Sequence, residues 1–128
     1  MKRMAWGSAD PISTSDPASL LFEGIGLTAP IRDDTLSLAR TVLTVEGIVP
    51  RHYHPDSREA YVILRGAATM VIAGTVLKVA AGDVILIEPG ERHEVSGVAD
   101  DGVEYLTITV PPFRPEDFIL DPQEPEDA

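Results

Sequence analysis

A two-residue alternation of side-chain character, repeated in short runs, restricts this chain more than any other feature of its sequence. Leu36, Leu38 and Val42 fall on one side of an extended segment together with Arg40, while Thr41, Leu43 and Val45 fall on the other. The runs that follow are YVIL (Tyr61 to Leu64), ATMVI (Ala68 to Ile72), TVLKV (Thr75 to Val79), DVILI (Asp83 to Ile87) and VEYLTITV (Val103 to Val110). β-Branched and aromatic residues dominate them, and Gly, Pro or Asp punctuates them at Gly66, Ala73-Gly74, Gly82-Asp83, Pro89-Gly90 and Asp101-Gly102. A chain of 128 residues built this way, without a long helical period, predicts one all-β domain, a sandwich or closed barrel. Gly66 and Gly74 read as hairpin turns. The side carrying Leu36, Leu38 and Val42 reads as interior.

The ends differ from the middle. Residues 1–30 contain a stretch rich in Ser, Asp and Pro and read as an extended arm or lead-in, with Trp6 as its anchor. Residues 31–112 form the predicted barrel. Residues 113–128 form an acidic, Pro-rich tail, mostly extended, whose Phe113, Phe118, Ile119 and Leu120 can pack back onto the domain. Asp and Glu number 21 against 10 Lys and Arg, a formal net charge of -11, which argues against nucleic acid and anionic membrane as partners. The absence of cysteine excludes disulfides, thiol catalysis and Cys-ligated metals. No apolar run approaches the roughly 20 residues needed to cross a bilayer, and a soluble, cytoplasmic protein is expected.

Two of the three histidines lie in His52-Tyr53-His54. On a strand, residues two apart face the same way, about 6.5–7 Å apart, so their imidazoles can converge on one ion. Glu59 is an odd number of positions further on. A turn or bulge through Pro55-Asp56-Ser57 is needed to bring its carboxylate to the same side. His93 follows the rigid Pro89-Gly90 corner and can approach from another strand. Three imidazoles and a carboxylate suit Fe(II), Mn(II), Ni(II), Zn(II) or Cu(II). The residues alone also fit a plainer reading, in which the histidines are ordinary polar residues and Glu59 pairs with Arg58 at the surface.

The stretch GIVPRHYHPDSREAYVILRG (Gly47 to Gly66) resembles the first signature of the cupin superfamily, and GDVILIEPGERHEVSG (Gly82 to Gly97) resembles the second. Three departures stand out: the spacer from Gly47 to His52 is one residue short, Glu88 replaces a common proline, and Gly97 replaces a frequent asparagine. None touches a ligand position. The resemblance implies a small cupin β-barrel (a double-stranded β-helix or jelly roll) and one divalent transition metal held by His52, His54, Glu59 and His93. It further implies a metal-dependent enzyme acting on a small oxygenated molecule such as a sugar or organic acid, of isomerase or lyase type or of Fe(II) dioxygenase type. A metal-containing module that binds or senses a small molecule without turnover is the alternative.

Other residues carry narrower expectations. Tyr61, two residues after Glu59, shares its face and is the candidate catalytic group beside the metal. Tyr53 points away from the histidines, and Tyr105 has no assigned direction. Arg40, on an apparently interior face, is expected to meet a carboxylate, internal or from substrate. Arg51, Arg58 and Arg92 either steer an anionic substrate or pair with Asp56, Glu91 or Glu94. Glu88 and Glu94 are further candidate bases. Edge strands of a small barrel favour a homodimer.

Overall fold

A computed structural model describes the backbone of residues 25–27 and 31–32 and the whole of residues 35–121. Trp6 and the last seven positions lie outside these described residues. The strands are β1 (Ile25–Leu27), β2 (Ile31–Arg32), β3 (Ser37–Leu43), β4 (Val49–Tyr53), β5 (Arg58–Ile72), β6 (Thr75–Ala80), β7 (Val84–Ile87), β8 (His93–Ser96), β9 (Val103–Val110) and β10 (Ile119–Leu120), with a 3₁₀ turn at Pro115–Asp117. All pairings are antiparallel. No helix among the described residues is long and apolar enough to cross a membrane.

The sheet curls because β5 belongs to both of its halves. Its first part pairs with β9 and β7, its second with β8 and β6. The first half-sheet runs through β3 to β1 and β2, the second through β4 to β10. The result is the all-β cupin-type half-barrel.

Gly66 is not a hairpin turn. β5 continues through it, and Gly66 is instead the corner at which the strand passes from one half-sheet to the other. The inward side chains switch parity there, from Glu59, Tyr61 and Ile63 to Ala68, Met70 and Ile72, and the register against β9 slips between Ile63 and Arg65. Gly66 has φ +79°, and a Cβ on it would lie 1.9 Å from the Gly102 carbonyl oxygen. Only glycine allows that approach. Gly74 does serve as a turn: with Ala73 (φ 49°) and its own φ of 85°, it closes the β5–β6 hairpin, the mirror-image geometry that strand twist prefers.

The face assignment on β3 is reversed from the sequence expectation. Ser37, Thr41 and Leu43 are buried, whereas Leu38, Arg40 and Val42 are half-buried on the outer side. On β9, where no inward face was assigned, Tyr105 and Thr109 are buried and Leu106 and Ile108 are only partly so. The apolar core proper lies at the corner and in the second half-sheet, around Leu43, Ile63, Met70, Val95 and Val103.

The two glycines make a test. Gly66→Ala is expected to lower unfolding free energy by more than about 2 kcal/mol, because φ strain and a backbone clash combine. Gly74→Ala, whose Cβ would meet nothing within 4 Å, should cost only about 1 kcal/mol. Urea titration with matched m-values measures both.

Candidate metal centre

β4 carries His52, and His54 follows one residue beyond its end. β8 opens on His93, and the ladder pairs His52 directly with His93. That register is how two histidines 41 positions apart in number meet, with ring centroids 4.1 Å apart. Residues 54–57 leave the extended conformation, so β5 begins with its parity reset and Glu59 turned inward. All four side chains are buried (2%, 4%, 5% and 1% exposed in chain order), and one donor atom from each lies within 4.8 Å of the other three.

Each imidazole is held by a backbone carbonyl. His52 Nδ1 lies 2.7 Å from Pro50 O, His54 Nδ1 2.9 Å from Asp117 O, and His93 Nδ1 2.9 Å from Glu91 O. A carbonyl only accepts, so each Nδ1 donates, and in the neutral rings the lone pair sits on Nε2. Glu59 Oε2 accepts a hydrogen bond from Thr109 Oγ1 at 3.1 Å. Its Oε1 lies 3.3 Å from His93 Nε2 and 3.6 Å from His54 Nε2. Glu59 Oε1 and His93 Nε2 are buried without a hydrogen-bond partner. A cation between them satisfies lone pairs that face one another in a buried space. The donor set therefore fits a divalent transition metal, which the cluster can hold.

The ionisation of these groups follows from the same crowding. Burial, then the neighbouring His93, lowers the His52 pKa from 6.5 to about 3. Burial opposes charge on His54 too, but the adjacent Glu59 carboxylate outweighs it and raises the His54 value. Burial also opposes charge on Glu59, yet the imidazoles of His54 and His93 beside it hold its carboxyl below the usual range. Tyr61 is pushed well above its ordinary value, first by burial and then by the Glu59 charge, and stays protonated.

Three of the four cluster residues, His52, His54 and Glu59, line a pocket of about 100 Å³, several times the roughly 10–15 Å³ one water needs. Tyr61 and Tyr105 stack inside it with centroids 5.1 Å apart. Ser37, Thr41, Thr107 and Thr109 add hydroxyls from β3 and β9, and Phe113 and Phe118 add rings from beyond β9. Phe118 stacks on His52 at 4.3 Å and 19°. Phe113 and Phe118 thus pack back as anticipated, and β10 pairs Leu120 with His52 and Ile119 with Tyr53.

Several candidate residues stand elsewhere. Arg40 is absent from the pocket lining: it lies on the outer face with its Nε 2.7 Å from Glu104, which Arg65 also contacts at 3.2 Å. Its expected carboxylate is internal, and the substrate contact was inferred from the reversed face. Arg58 pairs with Glu88, and Arg92 and Arg51 both reach Asp121, so neither Glu88 nor the three arginines line the pocket. Glu94 lines a separate surface depression with Arg51 and Arg92. Arg92 also covers the Tyr53 ring at 3.8 Å. Sequence reasoning missed Thr109, Thr41 and above all Asp117, a buried acid in what reads as a solvated tail. The one available signal was the Phe113/Phe118 pair around it.

The Cupin domain family (Cupin_2) matches residues 40–109, which spans both signatures and all four cluster residues. The chain belongs to this family. Cupin-fold structures resemble it over most of its length. The polyketide cyclase RemF from Streptomyces resistomycificus is 20% identical, with TM-score 0.78 over 99% of this chain and 89% of that one. A variant of Streptomyces PAC13 solved with uridine is 16% identical, TM-score 0.73, covering 94% of each chain; Pac13 is described as a nucleoside dehydratase. A predicted oxalate decarboxylase from Thermotoga maritima is 22% identical, TM-score 0.67, covering 80% of this chain and 93% of that one. Among curated proteins, an endoribonuclease YbeY of Myxococcus xanthus is 29% identical over 101 residues, 79% of this chain. The chain spans only about a third (34%) of that relative's length.

In the metal-free protein, His52 refuses a proton that the unfolded chain takes up below 6.5, so stability is expected to fall as pH drops from about 6.5 toward 3. Glu59, with its lowered value, adds to this loss once the unfolded carboxylate titrates, below about 4.5. His54 acts oppositely: its contribution is full below 6.5 and fades as pH rises through its raised value. Thermal melts of chelator-treated protein between about pH 6.5 and pH 4.5 should show a falling Tm. His52→Gln should flatten that slope.

Proposed function

We propose that this cupin is a metal-dependent enzyme of isomerase or lyase type acting on a small oxygenated molecule. His52, His54, Glu59 and His93 are its metal ligands, and Tyr61 is its hydrogen-bond-donating group. The observation that carries the reading is that His52, His54 and Glu59 of the four-donor cluster border a pocket wide enough for more than water. A bound divalent cation supplies Lewis acidity toward a chelating substrate oxygen. The chain's own residues do the rest. Tyr61, buried and protonated beside Glu59, can donate a hydrogen bond to a developing oxyanion. Thr107 and Ser37 offer hydroxyls, while the rings of Phe113, Phe118 and Tyr105 favour a partly planar substrate. Among the described residues no Lys or Arg lines the pocket, which favours a neutral molecule over a dianion. The dehydratase and cyclase named among the structural neighbours fit that chemistry better than the decarboxylase does. The charge of -11 and the lack of Lys or Arg among the described lining residues argue against an endoribonuclease role.

An Fe(II) dioxygenase and a non-catalytic binding module use the same residues and differ in what the reconstituted protein does. Turnover of nucleosides, phenolic polyketides or hydroxy-ketones with Zn²⁺ or Mn²⁺, without oxygen uptake, supports the proposal. Oxygen uptake with iron alone replaces it by the dioxygenase, and binding without turnover by the module. Tyr61→Phe should lower kcat by about 10²–10⁴-fold at unchanged metal content, and His54→Ala should abolish stoichiometric metal. Full metal occupancy in His54→Ala would end the assignment.

We also propose a cytoplasmic homodimer. Its contact would be the outer face bearing Leu64, Val84, Leu86 and Val110, which are 41–68% exposed and contiguous across β7, β5 and β9. Light scattering should give twice the chain mass, and Leu86→Glu should halve it.

A further inference from the structure

The segment that follows β9 touches two of the four donor residues, His52 and His54, and the turn that precedes a third, Glu59, and its contacts are of a kind that sets side-chain direction. Asp117 is 2% exposed and acts through both its main chain and its side chain. Its carbonyl oxygen accepts the His54 Nδ1–H at 2.9 Å. Its carboxylate accepts the amides of Asp56 and Ser57 at 3.0 and 3.1 Å, the two residues in the middle of the turn between His54 and Glu59. That turn resets strand parity so that Glu59 faces inward. A carboxylate 60 positions further along the chain caps it, a charge-assisted arrangement stronger than a neutral one. Two more contacts secure the same turn: Ser57 Oγ donates to Pro111 O at 3.0 Å, and Arg114 reaches Asp56 at 2.8 Å. Phe118, the next residue, stacks on His52.

We infer that Phe113 to Asp121 is a clamp on the metal centre, with Asp117 as the positioning residue that holds His54 and Glu59 in their ligating directions. The inference rests on the metal-centre reading above, and the matched family region, residues 40–109, does not include the clamp. Ligand rings and carboxylates left to rotate bind a metal less tightly because binding must then also order them.

The test titrates chelator-treated protein with Co²⁺ by calorimetry and records the visible d–d spectrum at saturation. Asp117→Ala should bind Co²⁺ about 10–100-fold more weakly and show a shifted d–d spectrum, a change that a general loss of stability would not produce at saturating metal. Asp117→Asn, of the same shape and with one neutral acceptor oxygen, should fall between that variant and the parent, and it decides the matter if Asp117→Ala does not fold. Glu116→Ala, on the exposed side of the same turn, should match the parent. Parental affinity and spectrum in both Asp117 variants would overturn the clamp and leave the metal centre standing. A parent protein that binds no Co²⁺ would overturn the metal reading itself, and the clamp with it.

Discussion

Three Nδ1–H to carbonyl hydrogen bonds hold this site together. Each takes away one of the two places an imidazole can carry a proton, so three Nε2 lone pairs are left to share a buried space with Glu59 Oε1. Without those carbonyls the rings could turn or exchange tautomers, and the cluster would become an ordinary hydrogen-bonded group of histidines. The carbonyls come from Pro50, Glu91 and Asp117, on three different segments. Pro50 and Glu91 each sit two residues before the ring they hold, so only Asp117 has to arrive from a distant segment before the lone pairs converge. In this sense the chemistry is a property of the backbone as much as of the ligands.

Convergence depends in turn on two places where strand parity slips. One is the 55–57 turn between His54 and Glu59, fastened from the C-terminal side by Asp117. The other is Gly66, where β5 crosses between half-sheets with its backbone against that of Gly102. Between them lie Glu59, Tyr61 and Ile63, all facing the interior. A slip at either place would turn this set outward. The polar lining of the pocket and the parity of β5 are thus one constraint.

The same lining explains why one half-sheet defeats the rule that apolar residues face inward. On β3 and β9 the inner positions hold Ser37, Thr41, Tyr105 and Thr109, because they border a site rather than a packed core. Leu38, Val42, Leu106 and Ile108 are left for the outer face. Arg40 goes with them and meets Glu104 there. Alternation was correct on these strands. On β3 its phase was not, since hydrophobicity identifies the buried side only where burial is the sole demand.

The strand content, the turn at Ala73-Gly74, and the pairing of His-X-His with Glu59 and His93 as a family signature were legible from the residues, because each is written in local spacing. The exchange of Gly66 from turn to corner, the inward direction of Tyr105, and the place of Asp117 beside His54 were not. These depend on what another segment presents at close range: the Gly102 carbonyl, the Tyr61 ring, the amides of Asp56 and Ser57. Period and residue type travel with the chain, whereas a hydrogen bond between positions 54 and 117 exists only after the sheet has curled. The sequence by itself determined which atoms are available to bind a cation; the tertiary structure decided where their lone pairs point.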